Sequence, residues 1–163
     1  MSKIPKKLHM IWIGDESKCP HNWIQTWKDN HPDWEFRLWG NKELNEDHWK
    51  TKKQMDQFMA DGQLPGVADC MRYEILYEHG GFYADADSVS VRPIAEEFLN
   101  NQMFVSLGSE KHFGYEAVAN SFIGAVPRHK ILGDMIDEIS KKRNILYKWK
   151  WFPPKFKKLH AWK

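Results

Sequence analysis

The sequence predicts an α/β sandwich built on one mixed, partly parallel sheet. Short β-compatible apolar runs alternate with helical patterns along the chain, a layout that sets strands side by side and helices on the sheet's faces. The most regular helical stretch, "VADCMRYEILYEHGG", lies between such runs and ends in a Gly pair, which suits a left-handed cap. The length, 163 residues, fits a single domain with a substantial core.

Each element has its own reason. "LHMIWIG" is a short apolar run closed by Gly14 and Asp15, a buried first strand that opens into a loop at the sheet's edge. In "NWIQTWKDN", Trp23 and Trp27 stand four apart on one helical face, which predicts that both pack into the core, and His31-Pro32 stops the helix. "DWEFRLW" alternates Trp34, Phe36 and Leu38 with charged residues, as a half-buried strand beside the first does. From Lys42 to Ala60 the text is polar and predicts one or two short surface helices, closed by the breakers of "DGQLPG". After the long helix, "FYAD" and "SVSV" read as strands around an acidic pair, and Pro93 opens a short helix to about Leu99. "MFVSLG" and "NSFIGAV" are further strands, and "HKILGDMIDEISKKRNIL" is the last helix.

Composition narrows the function classes. The net charge is only +2, but all nine Lys and Arg after Glu138 face no acidic residue there, leaving 15 basic against 22 acidic residues before it. A mildly acidic body offers no continuous basic face, which argues against nucleic acid. The tail over 147–163, "YKWKWFPPKFKKLHAWK", interleaves cations with aromatic rings. It is a solvated end or a peripheral contact for an anionic membrane surface. The apolar run at the N-terminus is too short for a signal-peptide core, and no stretch approaches a spanning helix. The sequence thus predicts a cytoplasmic chain with, at most, peripheral membrane contact. Cys19 and Cys70 read as free thiols rather than a disulfide or metal pair.

The stretch "GGFYADADSVSV" raises the question of chemistry. With 11 Asp in the chain, random placement alone yields about 0.7 Asp-x-Asp pairs, so Asp85 and Asp87 by themselves are either an ordinary turn or a cation site. Their position adds information, because they follow a helix stop and an apolar strand start. Extended geometry would put both carboxylates on one side, about 6 to 7 Å apart at Cα. Oxygen-only donors suit Mg²⁺ or Mn²⁺, with water or substrate phosphate completing the shell. Upstream, Asp69 and Arg72 stand three apart on one helical face, either an ordinary exposed ion pair or a planar cationic fork for sugar or phosphate.

Taken together, "IPKKLHMIWIG", "NHPDWEFRLW" and "ADCMRYEILYEHGGFYADADSVSVRPI" resemble the DXD-containing sugar transferases of glycosyltransferase family 32, whose core is similar to that of the glucosylating toxins. The resemblance runs from about Ile4 to Ala125. It implies a GT-A sandwich, a mixed sheet flanked by helices, that transfers a sugar from a UDP- or GDP-linked donor, with retention, to a glycan or lipid-linked acceptor. Mn²⁺ or Mg²⁺ is the ion it implies. Carried over by motif, Asp87 would bind the metal directly and Asp85 would hold the ribose and the metal's water shell. Asp69 and Arg72 would contact the donor sugar and position its leaving group, Tyr83 would line the nucleotide site, and Asn120 would lie near the donor sugar. Trp12 would stack on the base, a role for which its flat apolar face is suited, although a buried strand Trp is the plainer alternative.

Members of this family generally continue beyond the last helix into a segment with further metal or phosphate contacts, whereas this sequence stops at Lys163. The expectation is that the basic tail replaces that segment, with His160 as a further metal ligand or a surface residue, or that donor binding is weakened. The leading reading is therefore a single catalytic domain over 1–163 that acts as a metal-dependent hexosyltransferase, and the alternative is a catalytically impaired sugar-nucleotide or glycan-binding relative.

Overall fold

Five strands form one sheet in the order β2-β1-β3-β5-β4 in the computed structural model, which describes residues 3–108 and 117–141. β1 (Lys7–Ile11) lies parallel to β2 (Glu35–Trp39) and to β3 (Gly81–Ala84), while β5 (Ala117–Ala125) runs antiparallel to both β3 and β4 (Met103–Gly108). The sheet is mixed and partly parallel, as the alternating pattern predicts.

Helices cover both faces. On one, α4 (Leu64–His79) packs against β1, β3 and β5, backed by α3 (Lys52–Ala60) and α5 (Lys130–Ser140). Ile11, Met55, Phe58, Met71, Leu76, Tyr83, Ile123 and Leu132 fill that core. On the other face α1 (His21–Asn30) lays Ile24 and Trp27 on Leu8, Met10, Phe82 and Ala84. Residues with odd and even positions in β1 thus serve opposite cores, the period of two expected of a strand buried on both sides. The Gly pair after α4 does what its sequence suggests: Gly80 and Gly81 take φ of 61° and 106°, and Gly80 N–H closes on the Leu76 carbonyl at 2.9 Å. That turn sends β3 straight back beside β1.

Several local expectations are corrected by packing. "SVSV" is not a strand; its backbone is held by α1, with Trp27 Nε1 donating to the Ser88 carbonyl at 3.2 Å and Ser90 N–H donating to Thr26 Oγ1 at 2.9 Å. Trp23 does not share the burial of Trp27, being 44% exposed. Pro65 and Gly66 do not break the chain but form the first turn of α4, where Pro lacks only a hydrogen bond that would be missing anyway. The stretch before it forms two helices, α2 (Asn41–Leu44) and α3, as its pattern allows, but α3 is no surface helix: Gln54, Met55 and Phe58 are buried. The helix expected from Pro93 is a single 3-10 turn at Glu96–Asn100. Both cysteines are free, and Cys70 is buried. No helix among the described residues is long and apolar enough to cross a membrane. The basic tail and His160 lie outside the described residues.

Candidate active site

The parallel strands β1 and β3 end side by side, and a cleft of about 450 Å³ opens at their carboxyl ends, the place where open α/β sheets bind ligands. Trp12 and Ile13 follow β1 into it, Ala68 and Arg72 reach it from α4, and Tyr83, Asp85 and Asp87 come from β3 and the turn beyond.

The acidic pair is not extended. β3 stops at Ala84, and Ser88 N–H donates to the Asp85 carbonyl at 3.1 Å, closing a turn over 85–88. The Ser88 hydroxyl donates to the same carbonyl at 2.5 Å. The strand-based expectation for the two carboxylates is corrected accordingly: a turn, not alternation, presents them. Asp85 is half-buried and Asp87 exposed, with Ala86 buried between them.

Arg72 sits at the centre of a closed network. Its Nη2 lies 3.0 Å from Asp69 Oδ1 and 3.2 Å from Asp85 Oδ1, its Nη1 donates to the Asn120 carbonyl at 2.6 Å, and its guanidinium lies over the Tyr83 ring at 4.4 Å. Tyr83 donates its hydroxyl to Asp85 Oδ1 at 2.9 Å. The Asn120 amide donates to Asp69 Oδ1 at 2.9 Å and to the Tyr73 hydroxyl at 3.1 Å. Asp69 and Arg72 are only 9% and 5% exposed, so the ordinary surface ion pair that their spacing allows is ruled out. The structure therefore joins Asp69, Arg72, Tyr83, Asp85 and Asn120 into one hydrogen-bonded unit, with Trp12 and Asp87 lining the same cleft.

Burial sets the electrostatics. It pushes the Asp69 carboxyl up to about 6, against the opposing pull of Arg72 and Asn120. It also raises Asp85, which Arg72 and the Tyr83 hydroxyl partly restrain while the Asp87 charge adds to the rise. Tyr83 is held well above the usual phenol range, first by burial. For Arg72 burial works against the cation, but the surrounding Tyr83, Asp69 and Asp85 outweigh it and hold the guanidinium charged.

Three features escaped the sequence reading. Asn120 reaches the network because the β4–β5 register shifts between Val105 and Ser106: Ile123 pairs with Val105 and Ala119 with Ser106, leaving Asn120, Ser121 and Phe122 as a bulge. Bulges re-aim side chains in this way. Tyr73, one turn after Asp69 in the quoted helix, was legible as a neighbour by spacing. The third is the lip of residues 14–18. Asn41 accepts from Gly14 N–H at 2.8 Å and donates to the Gly14 carbonyl at 2.9 Å, and the Trp12 indole donates to the Asp15 carbonyl at 3.0 Å.

The comparisons with known proteins agree with this geometry. Residues 19–108 match the family model described as the glycosyltransferase sugar-binding region containing the DXD motif. Inositol phosphoceramide mannosyltransferase 3 of Schizosaccharomyces pombe is 35% identical over 145 residues, covering 85% of this chain and 38% of its own. Inositol phosphoceramide mannosyltransferase 1 of the same yeast is 29% identical over 151 residues, covering 86% and 44%. The initiation-specific alpha-1,6-mannosyltransferase of Candida albicans is 31% identical over 110 residues, covering 62% and 29%. The chain thus spans less than half the length of these relatives. Among solved structures, the PaToxG glycosyltransferase superposes with a TM-score of 0.68 at 16% identity, covering 83% of this chain and 60% of that one, which bears out the GT-A sandwich. By its sequence match and its fold, the chain belongs to the DXD-containing glycosyltransferase sugar-binding family.

Proposed function

We propose that the cleft binds a nucleoside-diphosphate sugar, UDP- or GDP-linked, and transfers the sugar with retention to a hydroxyl of a glycan or lipid-linked acceptor. The observation that carries this reading is the buried Asp69–Arg72–Asn120–Tyr83–Asp85 network, which forms a fixed polar wall at the carboxyl ends of β1 and β3. Such a wall is organised before substrate arrives, so little reorganisation accompanies the reaction. The relatives' names make mannose the first sugar to test.

The donor set suits a hard divalent cation, Mn²⁺ or Mg²⁺: two carboxylates in one turn and, among the described residues, no cluster of three or more His, Cys, Asp or Glu. A diphosphate and water would complete the shell. Asp85 already accepts from Arg72 and Tyr83, so the exposed Asp87 is the direct ligand and Asp85 holds the ribose and the hydrated side of the ion. When bound, the ion supplies charge stabilisation for the departing diphosphate.

The chain's own residues do the rest. Asp69, fixed by Asn120 and Arg72, offers a carboxylate to the sugar hydroxyls and orients the anomeric carbon. Arg72 keeps Asp69 and Asp85 from repelling each other and sets a positive potential beneath the leaving group. Trp12 stacks on the base and Tyr83 closes the nucleotide site from below. No side chain is assigned as a covalent nucleophile; the acceptor attacks on the leaving group's face and its proton passes to the departing phosphate. The tail over 147–163 is assigned to peripheral contact with an anionic membrane surface near a lipid-linked acceptor.

A thermal-shift and turnover screen with UDP- and GDP-sugars, with and without Mn²⁺, tests this. The expected result is a metal-dependent rise in Tm with one donor, slow hydrolysis of that donor, and loss of both in Asp87→Asn without loss of fold. No shift and no turnover with any donor would refute the reading.

A further inference from the structure

Charge in the cleft leaves a diphosphate short of one partner. Arg72 directs its donors inward, Nη1 to the Asn120 carbonyl, Nη2 between Asp69 and Asp85, and Nε toward the Ala68 carbonyl at 3.5 Å. Its cation is therefore matched to the protein's own carboxylates. With Asp69, Asp85 and Asp87 all ionised, Arg72 and a divalent ion together only neutralise the protein side. The two negative charges of a bound diphosphate then remain.

Among the described residues that line the cleft, the other cation is Lys18. It ends the 3-10 turn Glu16–Lys18 at the lip, with a side chain 77% exposed and Nζ 3.4 Å from Asp15 Oδ2. An exposed pair of this kind holds its partners weakly. The turn does not depend on it, because Asp15 Oδ1 caps both the Ser17 N–H at 3.0 Å and the Ser17 hydroxyl at 2.6 Å. The same turn fixes Trp12, whose indole donates to the Asp15 carbonyl at 3.0 Å. One short segment thus orients the aromatic face and carries a cation that is free to turn inward.

We infer that Lys18 is the residue that meets the donor's diphosphate, its ammonium donating to phosphate oxygen as the negative charge of the leaving group builds. This rests on the donor reading above and adds to it a phosphate-binding residue outside the DXD turn and the α4 helix. A lysine suits the task, since its compact charge follows a moving phosphate without demanding a fixed planar partner.

The test compares UDP and GDP with uridine and guanosine by calorimetry, in Mn²⁺, for the wild type, Lys18→Met and Lys18→Arg. Loss of one charge-assisted contact predicts that Lys18→Met binds the diphosphate about tenfold more weakly, keeps its nucleoside affinity, and loses part of the salt dependence of binding. Lys18→Arg should recover most of the loss. If the wild type binds a diphosphate and Lys18→Met binds it equally well, the inference fails while the donor reading stands. If Lys18→Met weakens nucleoside and diphosphate alike, the lip acts by shape and the assignment to phosphate is overturned. A wild type that binds none of the four overturns the donor reading and this inference with it.

Discussion

Asp69→Asn isolates the cost of burying a carboxylate at the floor of the cleft. In the native protein burial raises Asp69 from 3.8 to about 6. A raised carboxylate pKa means that the folded state binds the proton more tightly than the unfolded chain. Asp69 therefore leaves stability untouched below pH 3.8, lowers it progressively between 3.8 and 6, and lowers it by a constant amount above that. The full gap corresponds to about 3 kcal/mol, and the part that falls between pH 4 and pH 7 is about 2 kcal/mol. Asparagine keeps the oxygen that accepts from Asn120 and does not titrate. Urea unfolding of both proteins at pH 4, 5.5 and 7 gives the double difference in which every other titrating group cancels. The wild type should lose about 2 kcal/mol relative to Asp69→Asn as pH rises across that range, and the variant should lose sugar transfer at every pH. Parallel pH profiles for the two proteins would refute the claim that burial outweighs Arg72 at this carboxylate.

Other outcomes follow from the packing. Asn120→Ala leaves the buried Tyr73 hydroxyl and Asp69 without their amide donor and should cost about 1–3 kcal/mol in urea unfolding. In Gly124→Ala the new Cβ would lie 2.1 Å from the Phe104 ring, which Phe82 and Phe98 hold in place. Overpacking of about 1–3 kcal/mol is expected, and an unchanged Tm would contradict it. Burial pushes the Cys70 thiol up to about 12, so alkylation at pH 8 should modify it only as fast as the chain unfolds, whereas half-buried Cys19 reacts in the native state.

What was legible in the sequence, and what was not, divides by the range of the interaction. The period of two in residues 8–11 and 34–39 and the Gly pair after α4 are local, and they yielded β1, β2 and the turn into β3. The spacing of Asp69 and Arg72 was equally local and put both on one helical face. It could not tell whether that face meets solvent or the sheet, and a pair worth a few tenths of a kcal/mol in water differs in kind from one that is buried. Asn120 is the sharper case. Its contact with Asp69 spans 51 residues and exists only because β5 slips by a bulge against β4, a register that no local pattern encodes. The DXD turn lies between these extremes. Alternation favoured an extended pair, yet β3 ends at Ala84 because the Asp85 carbonyl is taken by Ser88, a local hydrogen bond that Asp and Ser at that spacing do permit. "SVSV" fails for the complementary reason: its β-like alternation is real, but the polar groups of Thr26, Trp27 and Asn30 take up its backbone bonds from across the chain. Residues whose partners lie within a turn could be placed from sequence, and those that close the cleft could not, because the site is assembled from elements that meet only after the sheet has formed.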